Sequence, residues 1–130
     1  YQEGPTVFRF ILRPHRGPTD PAEATRFATG FNQPLLVTGA RGATPRSQPL
    51  LRVTPMDIVV SGLKPSDDGR AVIVRLFNAS PLEQSALVEW SGPEAQSIHF
   101  TDTSECAQDN MTGTIKIDGN GLVALRIDLK

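Results

Sequence analysis

The chain has 130 residues, 38% hydrophobic and 21% charged, which suits one globular domain and is short for two. A formal net charge of −1 gives no electrostatic case for nucleic acid, and no apolar run approaches the roughly 20 residues of a membrane helix, so neither partner is expected. Eleven Gly and eleven Pro favour many turns and therefore short strands.

The charge is unevenly spread. Residues 1–55 carry seven Arg against Glu3, Asp20 and Glu23, whereas the remainder carries six basic and eleven acidic residues. On exposed surface such charges interact only weakly. Cys106 is the single cysteine, which excludes an intrachain disulfide and a Cys-rich zinc site. The opening Tyr1-Gln2-Glu3-Gly4 shows neither an initiator Met nor a signal-peptide pattern, so residues 1–130 are expected to be one domain cut from the C-terminal part of something longer.

In chain order, TVFRFILR (6–13) alternates, with Phe8, Phe10 and Leu12 facing one way and Arg9 and Arg13 the other. That pattern predicts a half-buried strand, ended by Pro14. A short helix follows. Asp20 is its N-cap, Pro21 sits at N1, and Glu23 at N3 is placed to complete a capping box. Ala24, Phe27, Ala28 and Phe31 form its narrow apolar face, Gly30 is placed to stop it, and it is expected at the edge of a sheet.

Everything beyond is strand and turn. PLLVTG (34–39) is a short apolar run, and residues 40–49 form an aperiodic loop. Residues 50–53 and 56–63 are predicted strands. The turn Asp67-Asp68-Gly69 leads into 71–77, which is apolar on both faces apart from Arg75 and is therefore expected to be central. SALVEW (85–90) turns Ala86, Val88 and Trp90 inward, SIHF (97–100) is short, and 101–110 is polar and loop-like. Ile115 and Ile117 are expected to pair in a hairpin with the strand 123–129 across Asp118-Gly119-Asn120-Gly121. Many short alternating strands with one helix near the N-terminus predict an all-β, antiparallel sandwich.

Local chemistry is sparse. His15 and His99 lack spaced metal partners, and no Ser–His–acid or Cys–His pattern is spelled locally. Asp67 and Asp68 are adjacent turn residues, expected to be solvated and untuned. Asp102, Glu105 and Asp109 could gather round calcium in one loop, but their spacing matches no known cation loop. Two N-glycosylation sequons, Asn78-Ala79-Ser80 and Asn110-Met111-Thr112, are short enough to arise by chance. A sugar platform would need exposed aromatics, yet Trp90 and four of the six Phe (Phe8, Phe10, Phe27 and Phe31) fall on predicted core faces. No catalytic residue, cofactor site or metal site is expected in this chain.

Two segments carry a resemblance. FRFILRPHRGPTDPAEATRFATGFNQPLLV (8–37) resembles the stretch of family 38 glycoside hydrolases in which a strand ends in Pro-His and a short helix leads to Phe-Asn-x-Pro-Leu. VVSGLKPSDDGRAVIVRLFNAS (59–80) resembles that family's later hairpin, where a Lys-Pro turn with acidic residues precedes an Arg-Leu-aromatic-Asn strand. GLVALRIDLK (121–130) is similar to its final strand, which there runs on into a Pro-x-Glu-Ile-x-Thr segment that this sequence lacks.

The resemblance implies an accessory, non-catalytic C-terminal β-domain of a retaining α-mannosidase that hydrolyses terminal α-mannosides. The family's Asp nucleophile, carboxylic acid/base and zinc, bound by His and Asp, sit on an upstream α/β domain and match nothing here. The implied partners are that catalytic domain and, through it, mannose-containing glycans. His15 matches the family's Pro-His, and Arg75 and Asn78 match its hairpin motif. With Lys64 they are expected to serve docking or structure. Arg75 in particular is expected to find a carboxylate or carbonyl partner, so that Arg75→Ala would destabilise more than a surface change. The alternatives are an immunoglobulin-like structural or adhesion domain, which predicts tandem neighbours, and a stand-alone carbohydrate-binding module, which predicts an exposed aromatic platform.

Overall fold

The computed structural model describes residues 4–33, 35–37, 39, 41–42 and 48–130. Its elements are α1 (Pro21–Asn32), β1 (Leu51–Thr54), β2 (Ile58–Pro65), β3 (Ala71–Asn78), β4 (Gln84–Trp90), β5 (Ala95–Thr101), β6 (Ile115–Ile117) and β7 (Leu122–Leu129). The strands make two antiparallel sheets, β1-β4-β6 and β2-β3-β7-β5. The alternation in each strand turns one row inward. Ile58, Val74, Leu76, Leu125 and Ile127 of the larger sheet meet Ala86, Val88, Ile115 and Ile117 of the smaller, all buried. The chain is thus an all-β sandwich with one short helix, and β3 is central, paired with both β2 and β7. Trp90 is half-buried against the same core, its indole N–H donating to the Pro93 carbonyl at 2.8 Å.

The β6–β7 hairpin does not form. β6 pairs with β4 in the small sheet, while β7 lies between β3 and β5 in the large one. Long-range bonds outweigh the local turn signal. The Asn78 side-chain amide donates to the carbonyls of Leu82 (2.8 Å), Ile117 (3.0 Å) and Asp118 (3.0 Å), and its Oδ1 accepts from Ser80 N–H at 3.0 Å. Backbone bonds add Asn78 N–H to Gly121 O and Asn120 N–H to Ser80 O. Gly119 is required here, because a Cβ would lie 2.0 Å from the Pro81 carbonyl oxygen. The 118–121 turn is therefore fastened to the β3–β4 connection and carries the chain from one sheet to the other.

The helix cap forms as expected, with Asp20 Oδ1 accepting from the amides of Ala22 (2.9 Å) and Glu23 (3.3 Å). The Glu23 carboxylate, however, pairs with Arg13 and does not reach back to the cap. Gly30 does not stop α1, which runs to Asn32 and ends on the bond from Gln33 N–H to Thr29 O. The helix also docks on a different face from the one expected. Ala22 is buried against Val59 and Ala79, with Phe77 beside them, and Arg26 donates to the Met56 carbonyl. A small residue permits the close approach to the outward face of the large sheet. Ala24, Ala28 and Phe31 are left exposed, and the Arg13 guanidinium lies 5.2 Å over the Phe27 ring.

Residues 6–13 are not a half-buried strand. They take no strand assignment, and Phe8, Phe10 and Leu12 are exposed, at 74%, 86% and 91%. The apolar run 34–39 gives exposed Leu35, Leu36 and Val37, with Pro34 and Thr38 outside the described residues. Most of the expected loop 40–49, and the opening three residues, also lie outside them.

Candidate functional site

The outward face of the large sheet carries three cross-strand rows. At the helix end, Val59, Phe77 and Leu122 are in register, the first two against α1. The middle row is Gly62, Arg75, Ala124 and Thr101. The far row is Lys64, Ile73, Arg126 and His99. Strand periodicity places these groups on one face, because alternate residues of β2, β3, β5 and β7 point the same way.

The far row is the most highly organised polar cluster among the described residues. Lys64 Nζ bonds Asp67 Oδ1 at 2.7 Å and Glu105 Oε1 at 2.6 Å, while Glu105 Oε2 accepts from Asp67 N–H at 2.9 Å. Arg126 bonds Asp68 through Nη2 (2.7 Å), Asp128 through Nε (2.8 Å) and the Glu105 carbonyl through Nη1 (2.9 Å). Glu105 thus bridges the positions on either side of Ile73, which is fully buried in consequence. Glu105 itself is 6% exposed and adopts φ +61°, in the left-handed region. His99 continues the row, with Nε2 3.0 Å from Ser97 Oγ and 3.8 Å from Asp128 Oδ2, and Nδ1 3.2 Å from the Gln108 carbonyl. Together these contacts strap residues 102–110 across the sheet, beside a cavity of about 430 Å³.

Four groups of the cluster are shifted toward their charged forms. Hydrogen bonds from Ser66 Oγ and the Arg70 amide, and then Arg126, hold the Asp68 carboxyl far below the usual carboxylate range. Lys64 and the Asp67 amide lower that of Glu105. Lys64 is raised by its bonds to Asp67 and Glu105, and Arg126 by Asp68 above all. Asp68 is therefore engaged and tuned, contrary to the expectation of a solvated turn residue. Asp68 and Glu105 thus face Arg126 and Lys64 in their charged forms, and the same two residues bond the backbone or side chains of the 66–70 turn, which ties that turn to the 102–110 loop.

Asp102, Glu105 and Asp109 do not converge. Asp102 binds the Ser104 hydroxyl and amide and the Gln108 amide, Glu105 faces Lys64, and Asp109 contributes its backbone carbonyl to Phe100 N–H. The other singled-out residues are dispersed. Lys64 belongs to the strap and Asn78, with no exposed surface, to the inter-sheet fastening. His15 lies on the N-terminal segment with Nε2 3.3 Å from Thr19 Oγ1, lining a recess of about 450 Å³ beside α1. A glycan on Asn78 is incompatible with this fold, because the amide nitrogen is buried and fully committed.

Arg75 departs most from expectation. It is exposed, and its side chain makes no hydrogen bond or ion pair among the described residues. Its stem lies over Gly62, where a Cβ would stand 3.6 Å from the Arg75 Cβ and Cδ. The outward direction follows from register: Val74 and Leu76 occupy the inward sites, so Arg75 faces away from the core. Around it is a trough of about 480 Å³ lined by Leu122, Ala124, Thr101, Asp102 and Thr103. The organising residue that the sequence concealed is Glu105, whose signal was only an acidic residue in a polar loop.

No protein-family model matches the chain, and no curated protein matches it. Among solved structures it is similar to the crystal structure of an apo exo-carrageenase GH42 from Bacteroides ovatus, at 10% identity and a TM-score of 0.44. The likeness covers 83% of this chain and 13% of that enzyme's chain, so this sequence spans a small part of that enzyme's length.

Proposed function

We propose that the chain is an accessory, non-catalytic β-domain of a glycoside hydrolase, of the kind that closes family 38 α-mannosidases. The observation that carries this reading is the motif pair at 8–37 and 59–80, which resembles that family in order and separation. The geometry around the second motif is consistent with support rather than catalysis. Its Lys64 and Asp68 are locked into the strap, its Asn78 fastens two sheets, and its Arg75 is exposed on an outward face without a polar partner among the described residues. In this role the sandwich packs against a catalytic domain. That domain supplies the carboxylates and the zinc, and binds the mannose-containing glycan. Arg75 and the trough around it are the surface we assign to domain docking.

The test is hydrolysis of an aryl α-mannoside by the full-length parent, with and without a metal chelator, beside the isolated 130-residue chain. Chelator-sensitive hydrolysis by the parent and none by the isolated chain is the expected result. A well-folded parent that leaves the mannoside intact would overturn the proposal.

A further inference from the structure

One edge of the larger sheet is closed by the chain itself. β5 pairs with β7 on one side only. On its other side the segment that follows it makes three backbone bonds: Phe100 N–H to Asp109 O (2.9 Å), Gln108 N–H to Phe100 O (2.9 Å) and Met111 N–H to Ile98 O (2.8 Å). His99 and Asn110 face each other there as antiparallel partners. Residues 108–111 thus lie where one more strand of the sheet would lie.

The attachment of that segment is ionic more than apolar. Of residues 102–110 only Glu105 is buried, and the nearest apolar anchor is Met111, packed at the margin of the core. A buried carboxylate is stable there only while it is paired. Glu105 meets Lys64 at 2.6 Å and the Asp67 amide at 2.9 Å, and its carbonyl accepts from Arg126 at 2.9 Å. Thr101 Oγ1 closes the loop from within by donating to the Cys106 carbonyl at 2.8 Å. Ile73, in register between Lys64 and Arg126 on the outward face, is only 1% exposed beneath the strap. The loop hides an edge and an apolar side chain, and one carboxylate holds it.

We propose that residues 102–111 are a cover for the β5 edge, latched by Glu105, and that releasing the latch makes β5 a pairing edge for a second copy of the chain. The cover marks the groups available to that copy: the Phe100 N–H and the carbonyls of Ile98 and Phe100. A two-fold axis normal to the sheet sets β5 antiparallel to its copy and keeps Ile98 and Phe100 of both on the core side, as the alternation of the strand requires. Unpaired edges template association, and covering them with a loop is one way in which proteins prevent it. At the opposite edge β2 carries a bulge between Val60 and Gly62, which is another. The device is independent of the glycosidase reading.

The test uses the 130-residue chain with Glu105→Ala, with amide exchange read residue by residue by NMR beside sedimentation over a range of concentrations. In the unsubstituted chain the amides of Phe100, Gln108 and Met111 are expected to be protected. In dilute Glu105→Ala they should exchange about tenfold faster or more, while Val74 in β3 keeps its protection. As the concentration rises the Phe100 amide should slow again in step with dimer formation, with Gln108 and Met111 remaining fast. Unchanged exchange at all three would overturn the latch. A variant that stays monomeric with the Phe100 amide fast, or that dimerises and leaves it fast, would overturn the pairing edge. Should Glu105→Ala unfold, Lys64→Met cuts the same pair from the other side and is read in the same way. Global unfolding of both would show that the strap does not open apart from the fold, and the proposal would fall.

Discussion

Replacing Asn78 by Ala removes the group that joins the end of β3 to both neighbouring connections. Four bonds disappear, two of them in the interior: Ser80 N–H loses its acceptor, and the Ile117 carbonyl its donor. The Leu82 and Asp118 carbonyls are only partly buried and water can replace the amide there. A buried polar group left without a partner costs about 1–3 kcal/mol, so two give a loss of about 4 kcal/mol. Total stabilities run from about 5 to 15 kcal/mol, which makes this a large fraction. Guanidinium denaturation followed by Trp90 fluorescence and far-ultraviolet circular dichroism measures it. Asn78→Asp is expected to be at least as damaging, because one carboxylate oxygen would face three carbonyls. A loss below about 1 kcal/mol for Asn78→Ala would refute the accounting, and with it the role of Asn78 in fixing the path of the 118–121 turn.

Arg75→Ala is expected to leave the isolated domain within about 0.5 kcal/mol of the parent sequence by chemical denaturation, since the side chain is exposed and unpaired among the described residues; a larger loss would reveal a structural role. Gly119→Ala should destabilise by more than about 3 kcal/mol, because its Cβ would collide with backbone at Pro81, and a mild effect on thermal melting would contradict the close approach. The carboxyl groups of Asp68 and Glu105 are held below their ordinary values in the folded state, so their contribution is complete above about pH 4.5 and is lost as the pH falls through the depressed folded values. Acid titration of stability should therefore fall less steeply for Glu105→Gln than for the parent sequence, and identical slopes would count against the strap. At the other end, Lys64 is raised, so its contribution holds below about pH 10 and declines only as the pH rises through the raised value.

The strands of the core were legible because their alternation has only one consistent solution. Ala71–Asn78 is apolar on both faces apart from Arg75 and its closing Asn78 and is central, and Gln84–Trp90 alternates and has one face buried. The N-cap was legible for the same local reason, since Asp20 and Pro21 act within one turn. Where expectation failed, a distant partner decided the outcome. Asp118-Gly119-Asn120-Gly121 has the composition of a hairpin turn, but Asn78, some 40 positions earlier, holds it as a crossover. Phe8 and Phe10 alternate as a strand should, yet no sheet within the described residues receives them. The ionic strap was invisible because Asp67 and Glu105 are 38 residues apart and nothing local to either position points to the other. The direction of Arg75 was readable from the inward row on either side of it, had charge not been taken to require a partner.

The two-sheet topology also constrains how the chain reaches its native state. Of the links between consecutive strands, β2 to β3 alone stays within one sheet; the steps from β1 to β2, β3 to β4, β4 to β5, β5 to β6 and β6 to β7 all change sheet. Pairing after a change of sheet must wait for distant segments to meet, and folding rates fall as such non-local contacts come to dominate. Among the described strands the β2–β3 hairpin is thus the one pairing of consecutive strands. The rest of both sheets depends on contacts between segments distant in sequence, which predicts slow, cooperative folding for a domain of this length, a prediction that stopped-flow refolding followed by Trp90 fluorescence checks.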